Sequence, residues 1–243
     1  MSTLKADAIT SASSNTDVVI TGAGSGVPDI EASFKVGGTA GVPMASIRTS
    51  SGTASGSTFL RGDGTWQAPG GGAWSVITHT VASSASTISF TGFNSSTYGA
   101  YQVFWRYTPG TDNSRLYMRT SSNGGSSYDS GGSDYRYAGT TANDSNATGT
   151  EYSAGNDHIT LQGVNGGNAS GEHNMGYLFI VNPDAAVNCY INIFNANQWD
   201  DVKMAYFAGA AMRASAADVD AIQLYPNNGT ATGEFTFLGM KKA

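Results

Sequence analysis

The sequence predicts an all-β chain, with an antiparallel jelly-roll-like β-sandwich over residues 74–243 behind an extended, intertwined N-terminal segment. Composition is the first reason: 12% of the 243 residues are charged and 32 are glycine, against roughly 25% charged and 7% glycine in an average soluble protein. Ser, Thr and Asn make up the difference. These residues compete with helical backbone hydrogen bonds, and glycine loses the most entropy in a helix, so little helix is expected. The second reason is a change of texture at Trp74. Beyond it apolar and polar residues alternate with period two, and before it apolar residues stand in ones and twos among Gly and Pro.

Residues 1–21 carry Leu4, Ile9 and the β-branched run Val18-Val19-Ile20, which reads as a short strand pair. Residues 22–73 hold Val27, Ile30, Phe34, Val36, Val42, Met44 and Ile47 as isolated apolar positions, then the islands Phe59-Leu60 and Trp66. This stretch is too long for a loop inside a compact domain. It is also too poor in apolar surface to offset a backbone ordering cost of about 1 to 2 kcal/mol per residue. A flexible Gly/Ser linker would leave Phe34, Phe59, Leu60 and Trp66 with nothing to pack on. A connector wound along two neighbouring copies of itself buries them, and that is the reading adopted. Arg61-Gly62-Asp63 is read as turn chemistry, with glycine supplying positive φ, and not as an integrin ligand.

In the distal part Ile88 and Phe90 alternate with Thr87, Ser89 and Thr91, and Tyr101, Val103, Trp105 and Tyr107 alternate with Gln102, Phe104 and Arg106. Such alternation marks half-buried strands. With Leu116, Met118 and Thr120 beyond the Pro109-Gly110 turn, the stretch 101–121 is expected to be a long hairpin. Residues 128–156 are expected to be a long polar loop, and 163–174 a second one. Strands then follow over 158–161, 176–181, 186–195, 202–213, 219–225 and 234–238. Their spacing argues for a jelly-roll sandwich.

Several chemistries are excluded. A net charge of −6 and a pI near 4.8 offer no basic stripe for nucleic acid. Residues 1–5 lack the apolar core of a signal peptide and no run reaches the ~18 apolar residues of a membrane span, so a soluble chain made in a cytoplasm is expected. Cys189, the one cysteine, is expected to be a small buried hydrophobe. His79, His158 and His173 fit no metal-ligand spacing, and no glycine-rich stretch fits a phosphate loop, so neither metal nor cofactor is expected. Asp129, Asp134 and Asp144, with Asn143 and Asn146, match no calcium-loop pattern and read as a solvated acidic loop. Asp129 with Asp134, and Asp200 with Asp201, are the carboxylate pairs considered for glycoside cleavage. Adjacent acids on a strand point to opposite faces, so no catalytic residue is assigned. Asn-x-Ser/Thr triplets at Asn94, Asn143, Asn146, Asn168 and Asn228 follow from composition alone.

The run STFLRGDGTWQAP at 57–69 resembles the linker of many bacteriophage tail-fibre and tail-collar proteins. The opening 1–21 is similar to the N-termini with which such proteins dock onto a tail or neck. The close AIQLYPNNGTATGEFTFLGMKK, with ISFTGF at 88–93, resembles a receptor-binding sandwich whose first and last strands lie side by side. The resemblance implies a homotrimeric virion protein. Residues 1–21 would attach it to tail or neck proteins, 22–73 would form the trimeric connector, and 74–243 would bind a host-surface polysaccharide for adsorption. Sugar binding calls for rings that stack on a pyranose face with polar tips. Tyr128, Tyr135, Tyr137, Tyr152 and Trp199 are the residues expected to supply them. Two other roles are weighed beside this one: a structural neck, nozzle or capsid-decorating protein, and a capsule-degrading enzyme.

Overall fold

The computed structural model describes residues 55–62, 64–68, 72–181, 183, 187–200 and 203–242, with the strand pair at 35–36 and 39–40. Residues 1–21, Phe34, Asp63 and Asp201 lie outside the described residues. The chain divides into two units, Met1–Gly70 and Gly71–Ala243.

In the first unit, β1 (Lys35–Val36) pairs antiparallel with β2 (Thr39–Ala40), and β3 (Phe59–Leu60) with β4 (Trp66–Gln67). The segment read as extended thus contains two short antiparallel strand pairs. The turn between β3 and β4 is closed by Gly64 N donating to Arg61 O at 3.0 Å and Arg61 N to Thr65 O at 2.8 Å. Gly64 takes a φ of 78° there, a conformation that glycine adopts without a Cβ penalty. Trp66 is buried, while Phe59 and Leu60 are nearly half exposed.

The second unit contains no helix among its described residues. Its strands are β5 (Trp74–Ala85), β6 (Ile88–Thr91), β7 (Tyr98–Pro109), β8 (Leu116–Ser121), β9 (Tyr135–Asn143) and β10 (Thr148–Asn156). They continue with β11 (Ile159–Thr160), β12 (Asn174–Val181), β13 (Tyr190–Asp200), β14 (Lys203–Arg213), β15 (Ala221–Pro226) and β16 (Ala231–Lys241). An eight-stranded sheet in the order β10-β9-β14-β13-β12-β7-β16-β5 faces a four-stranded sheet in the order β11-β8-β15-β6. All pairings are antiparallel. Four strands of the large sheet, β5-β16-β7-β12, and the four of the small one make a jelly roll. The hairpins β9-β10 and β13-β14 are inserted into it and widen the large sheet by four strands. The first strand of the unit lies beside the last, as β5 pairs β16 from Trp74↔Met240 to Ala85↔Ala231.

Two sequence expectations are corrected here. The stretch 101–121 is not a hairpin, because β7 pairs with β12 and β16 in the large sheet whereas β8 pairs with β11 and β15 in the small one. Pro109-Gly110 carries the chain across the sandwich. Residues 128–156 are mostly strand, since the polar run of Ser, Thr, Gly and Tyr forms the β9-β10 hairpin. A polar composition that cannot make a core strand can still extend a sheet whose neighbours supply the packing.

The core holds the alternating residues of both inner faces. Phe237 of β16 lies 5.4 Å from Phe90, 4.9 Å from Phe93 and 5.5 Å from Tyr101 between ring centroids, and each such pair adds about 0.5–1.5 kcal/mol beyond area burial. Phe207 of β14 fills a place kept open by glycine: a Cβ on Gly139 would come within 2.3 Å of its ring and one on Gly209 within 2.7 Å. A buried polar seam fastens the 161–173 loop. Tyr107 donates from its hydroxyl to Gln162 Oε1 at 2.8 Å, and Gln162 Nε2 donates to Asn174 Oδ1 at 2.6 Å. Cys189 is buried, and burial pushes its thiol up to about 11.

Candidate binding surface

Period-two alternation fixes which side chains of the large sheet look away from the sandwich. On β7 these include Phe104 and Arg106, on β12 Met175, Tyr177 and Phe179, on β13 Tyr190 and Phe194, and on β14 Met204, Tyr206 and Met212. Cross-strand register turns four of them into a ladder of rings. Tyr177 is opposite both Phe104 and Phe194, at centroid distances of 6.0 and 5.7 Å, and Phe194 lies 6.4 Å from Tyr206. Farther along the face Trp74 meets Phe179 at 6.1 Å. The outward surface of an antiparallel sheet is usually polar. Here it is aromatic.

Several hollows open on this face among the described residues. One, about 390 Å³, lies over β9, β10, β13 and β14 and is lined by Tyr152, Tyr190, Arg136, Met212 and a floor of alanines. Tyr152 is 75% exposed and Tyr190 66%, so both rings offer a face to a ligand. A second hollow of about 330 Å³, between the ends of β7 and β16 and the turn at 171–173, is polar and is lined by Arg106, Glu172, His173 and Glu234. Hollows of about 350 and 270 Å³ along the ladder adjoin it, sharing Arg106 and Glu234 in one case and His173 in the other.

The tyrosines singled out in the sequence fall in different places. Tyr152 stands open in the tyrosine-lined cleft. Tyr137 borders the cleft from β9 but has the parity of Tyr135, so its ring packs against the core on the other side of the sheet, where its hydroxyl accepts from Asn156 Nδ2 at 3.4 Å. Tyr135 belongs to the core: it is fully buried, its hydroxyl accepts from Thr120 N at 2.8 Å and donates to Asp129 O at 3.1 Å, and burial raises its pKa. It presents no face to a sugar. Tyr128 is part exposed beside the 123–127 turn and lines none of these hollows. Trp199 lies on β13, with its side chain outside the described set.

The acidic residues have structural work. Asp129 Oδ2 is 2.7 Å from Arg213 Nη2, Asp134 accepts from Gly131 N at 2.6 Å, and Asp144 accepts from Met204 N at 3.1 Å. Among the described residues no group of three His, Cys, Asp or Glu converges as a metal site.

The outward face of the small sheet is built differently. Arg119 reaches Asp157 at 2.6 Å and lies 4.9 Å over the Tyr225 ring. Asp157 also meets His158 at 2.6 Å, and His158 stacks on Tyr117 at 3.8 Å. Arg115 pairs with Glu151 at 2.9 Å. The hydrogen bond from His158, with that from Arg119, holds the Asp157 carboxyl below its ordinary range, and burial pushes the Tyr225 hydroxyl up to about 12. Of the five arginines of this unit, Arg115, Arg119 and Arg213 have carboxylate partners. Arg106 and Arg136 have none among the described residues, and both stand exposed on the large sheet.

Tyr190, Arg136 and the ring ladder escaped the sequence reading. A signal was present: Tyr190-Ile191-Asn192-Ile193-Phe194 and Met204-Ala205-Tyr206-Phe207 carry large apolar residues on both parities, so one set had to face outward. In comparisons with known proteins the chain matches no family model, no curated protein and no solved structure.

Proposed function

We propose that this chain is a fibre-type protein of a bacteriophage virion, a homotrimer whose distal sandwich binds host-surface polysaccharide through the outward face of its large sheet. The observation that carries the sugar-binding part is the cleft where Tyr152 and Tyr190, both mostly exposed, flank an alanine floor. Small floor residues leave the ring faces open, and tyrosine combines a flat apolar face with a hydroxyl able to bond sugar hydroxyls. Three copies would multiply weak contacts into useful avidity. The virion assignment rests on the resemblance of residues 57–69 to fibre linkers. The proposed action is binding without cleavage, so no reducing ends should be released from a bound polysaccharide.

The test is retention of the protein on a panel of immobilised bacterial surface polysaccharides. Tyr152→Ala combined with Tyr190→Ala should weaken binding to the retained polysaccharide by about tenfold or more, the equivalent of 1.4 kcal/mol or above. Retention that is unchanged in the double variant would refute the cleft.

A second reading, that of a structural virion protein, is favoured by a separate observation. Val76, Val81, Phe104, Met175 and Met204 are each more than 40% exposed on the same sheet, and monomeric proteins rarely expose contiguous apolar patches beyond a few hundred Å². Under this reading the face packs against other virion subunits. Light scattering on the full-length protein and on a chain starting at Trp74 separates self-assembly through the connector from assembly through the sandwich.

A further inference from the structure

We propose that the sugar unit held in the tyrosine cleft carries a carboxylate, and that the Arg136 guanidinium receives it. This rests on the glycan-binding reading above and names the chemistry of the sugar. Among the described residues Arg136 is the one charged side chain lining that cleft; the others are Tyr, Ala, Ser and Met. It is exposed and has no ion pair among the described residues, in a chain whose net charge is −6. Carboxylates are therefore more numerous than cations, and still none has been placed against Arg136. Every arginine of this unit away from the outward large-sheet face is paired.

The guanidinium is planar and presents a fork of donors that matches a carboxylate with two parallel hydrogen bonds. Beside the rings of Tyr152 and Tyr190 it makes a site for a flat apolar ring face bearing an acidic substituent, which describes a uronic or other carboxylated sugar. The polar hollow at the other end of the face is a poorer anion site. There Arg106 shares the space with Glu172, a carboxylate only 6% exposed, and with Glu234, and those acids suit neutral sugar hydroxyls.

The experiment uses full-length protein and biolayer interferometry against polygalacturonate, alginate, hyaluronate and polysialate, each beside its carboxyl-reduced form, with poly-glutamate as an acidic chain lacking sugar rings. The wild-type protein should bind at least one of the four acidic polysaccharides, and carboxyl reduction should weaken that binding about tenfold or more. Arg136→Gln should cause a loss of the same size with an unchanged melting temperature, and Arg119→Gln on the small sheet should leave binding as it is. Equal binding of acidic and reduced forms, unaltered by Arg136→Gln, would overturn the carboxylate assignment and leave the glycan reading standing. Absence of binding to every polysaccharide in both forms would overturn both. Poly-glutamate bound as tightly as the best polysaccharide would replace the sugar by an acidic peptide.

Discussion

The two outward faces of the sandwich share one core and one chain but treat their polar and aromatic groups in opposite ways. On the small sheet Arg115, Arg119, Asp157 and His158 are all partnered, and Tyr117 and Tyr225 are covered by the histidine ring or the guanidinium. On the outward face of the large sheet Arg106 and Arg136 have no carboxylate partner among the described residues, the rings of the ladder stack on one another, and hollows stand open between them. A satisfied face is finished by folding alone. An unsatisfied one still has interactions to make, and that contrast, more than any residue taken singly, points to the large sheet as the place where a partner binds.

If the contrast holds, partnered groups should matter for stability and unpartnered ones for binding. The largest stability effect belongs to Arg213, nearly buried and paired with Asp129. Arg213→Ala should destabilise by about 3 kcal/mol, since it leaves a carboxylate without its partner. For a unit of this size that lowers the melting temperature on the order of 10 °C in calorimetry. Glycan binding per folded molecule should be unchanged. The tyrosine pair behaves in the reverse manner: Tyr152→Ala with Tyr190→Ala should cost about tenfold in affinity and less than about 0.5 kcal/mol in stability, and a large fall in melting temperature would show that these rings support the fold.

Smaller effects come from the titrating groups of the small sheet. Tyr225 has its folded pKa raised to about 12, so the unfolded chain gives up this proton first as pH rises. Its contribution is complete below about pH 10 and lost between about 10 and 12. Tyr225→Phe should flatten the fall in denaturant stability over that window. Asp157 has the opposite sign, because its folded pKa lies below the ordinary aspartate value. Its contribution is present above that value and disappears as pH falls through the lower folded one. With Asp157 41% exposed, the amount is under about 1 kcal/mol, and Asp157→Asn should remove only that shallow acid limb.

The jelly roll itself was legible in the sequence. Ile88 and Phe90, Tyr101 to Tyr107, and the closing Glu234–Leu238 announce inward faces by alternation, and the pairing of first and last strands followed from the resemblance of the two ends. The β9-β10 hairpin was not legible, because its Gly, Thr and Ser gain strand character from lying beside β14, a neighbour far away in sequence. The same reason hid the crossover after Pro109: alternation shows that β7 and β8 are strands and says nothing about which sheet each joins. Of the five aromatic residues chosen for a glycan, Tyr152 stands open in the cleft, whereas Tyr135 and Tyr137 face the core by the parity of β9. Parity is fixed by register, and register is set by partners that composition does not reveal.

The most direct test of the contrast between the faces is hydroxyl-radical footprinting with mass spectrometry on full-length protein, with and without the polysaccharide it retains most strongly. Side-chain oxidation at Tyr152 and Tyr190 should fall when the polysaccharide is present, while oxidation at Tyr117 and Tyr225 stays constant. Protection of Tyr117 and Tyr225 with none at Tyr152 and Tyr190 would move the binding face to the small sheet and contradict the account.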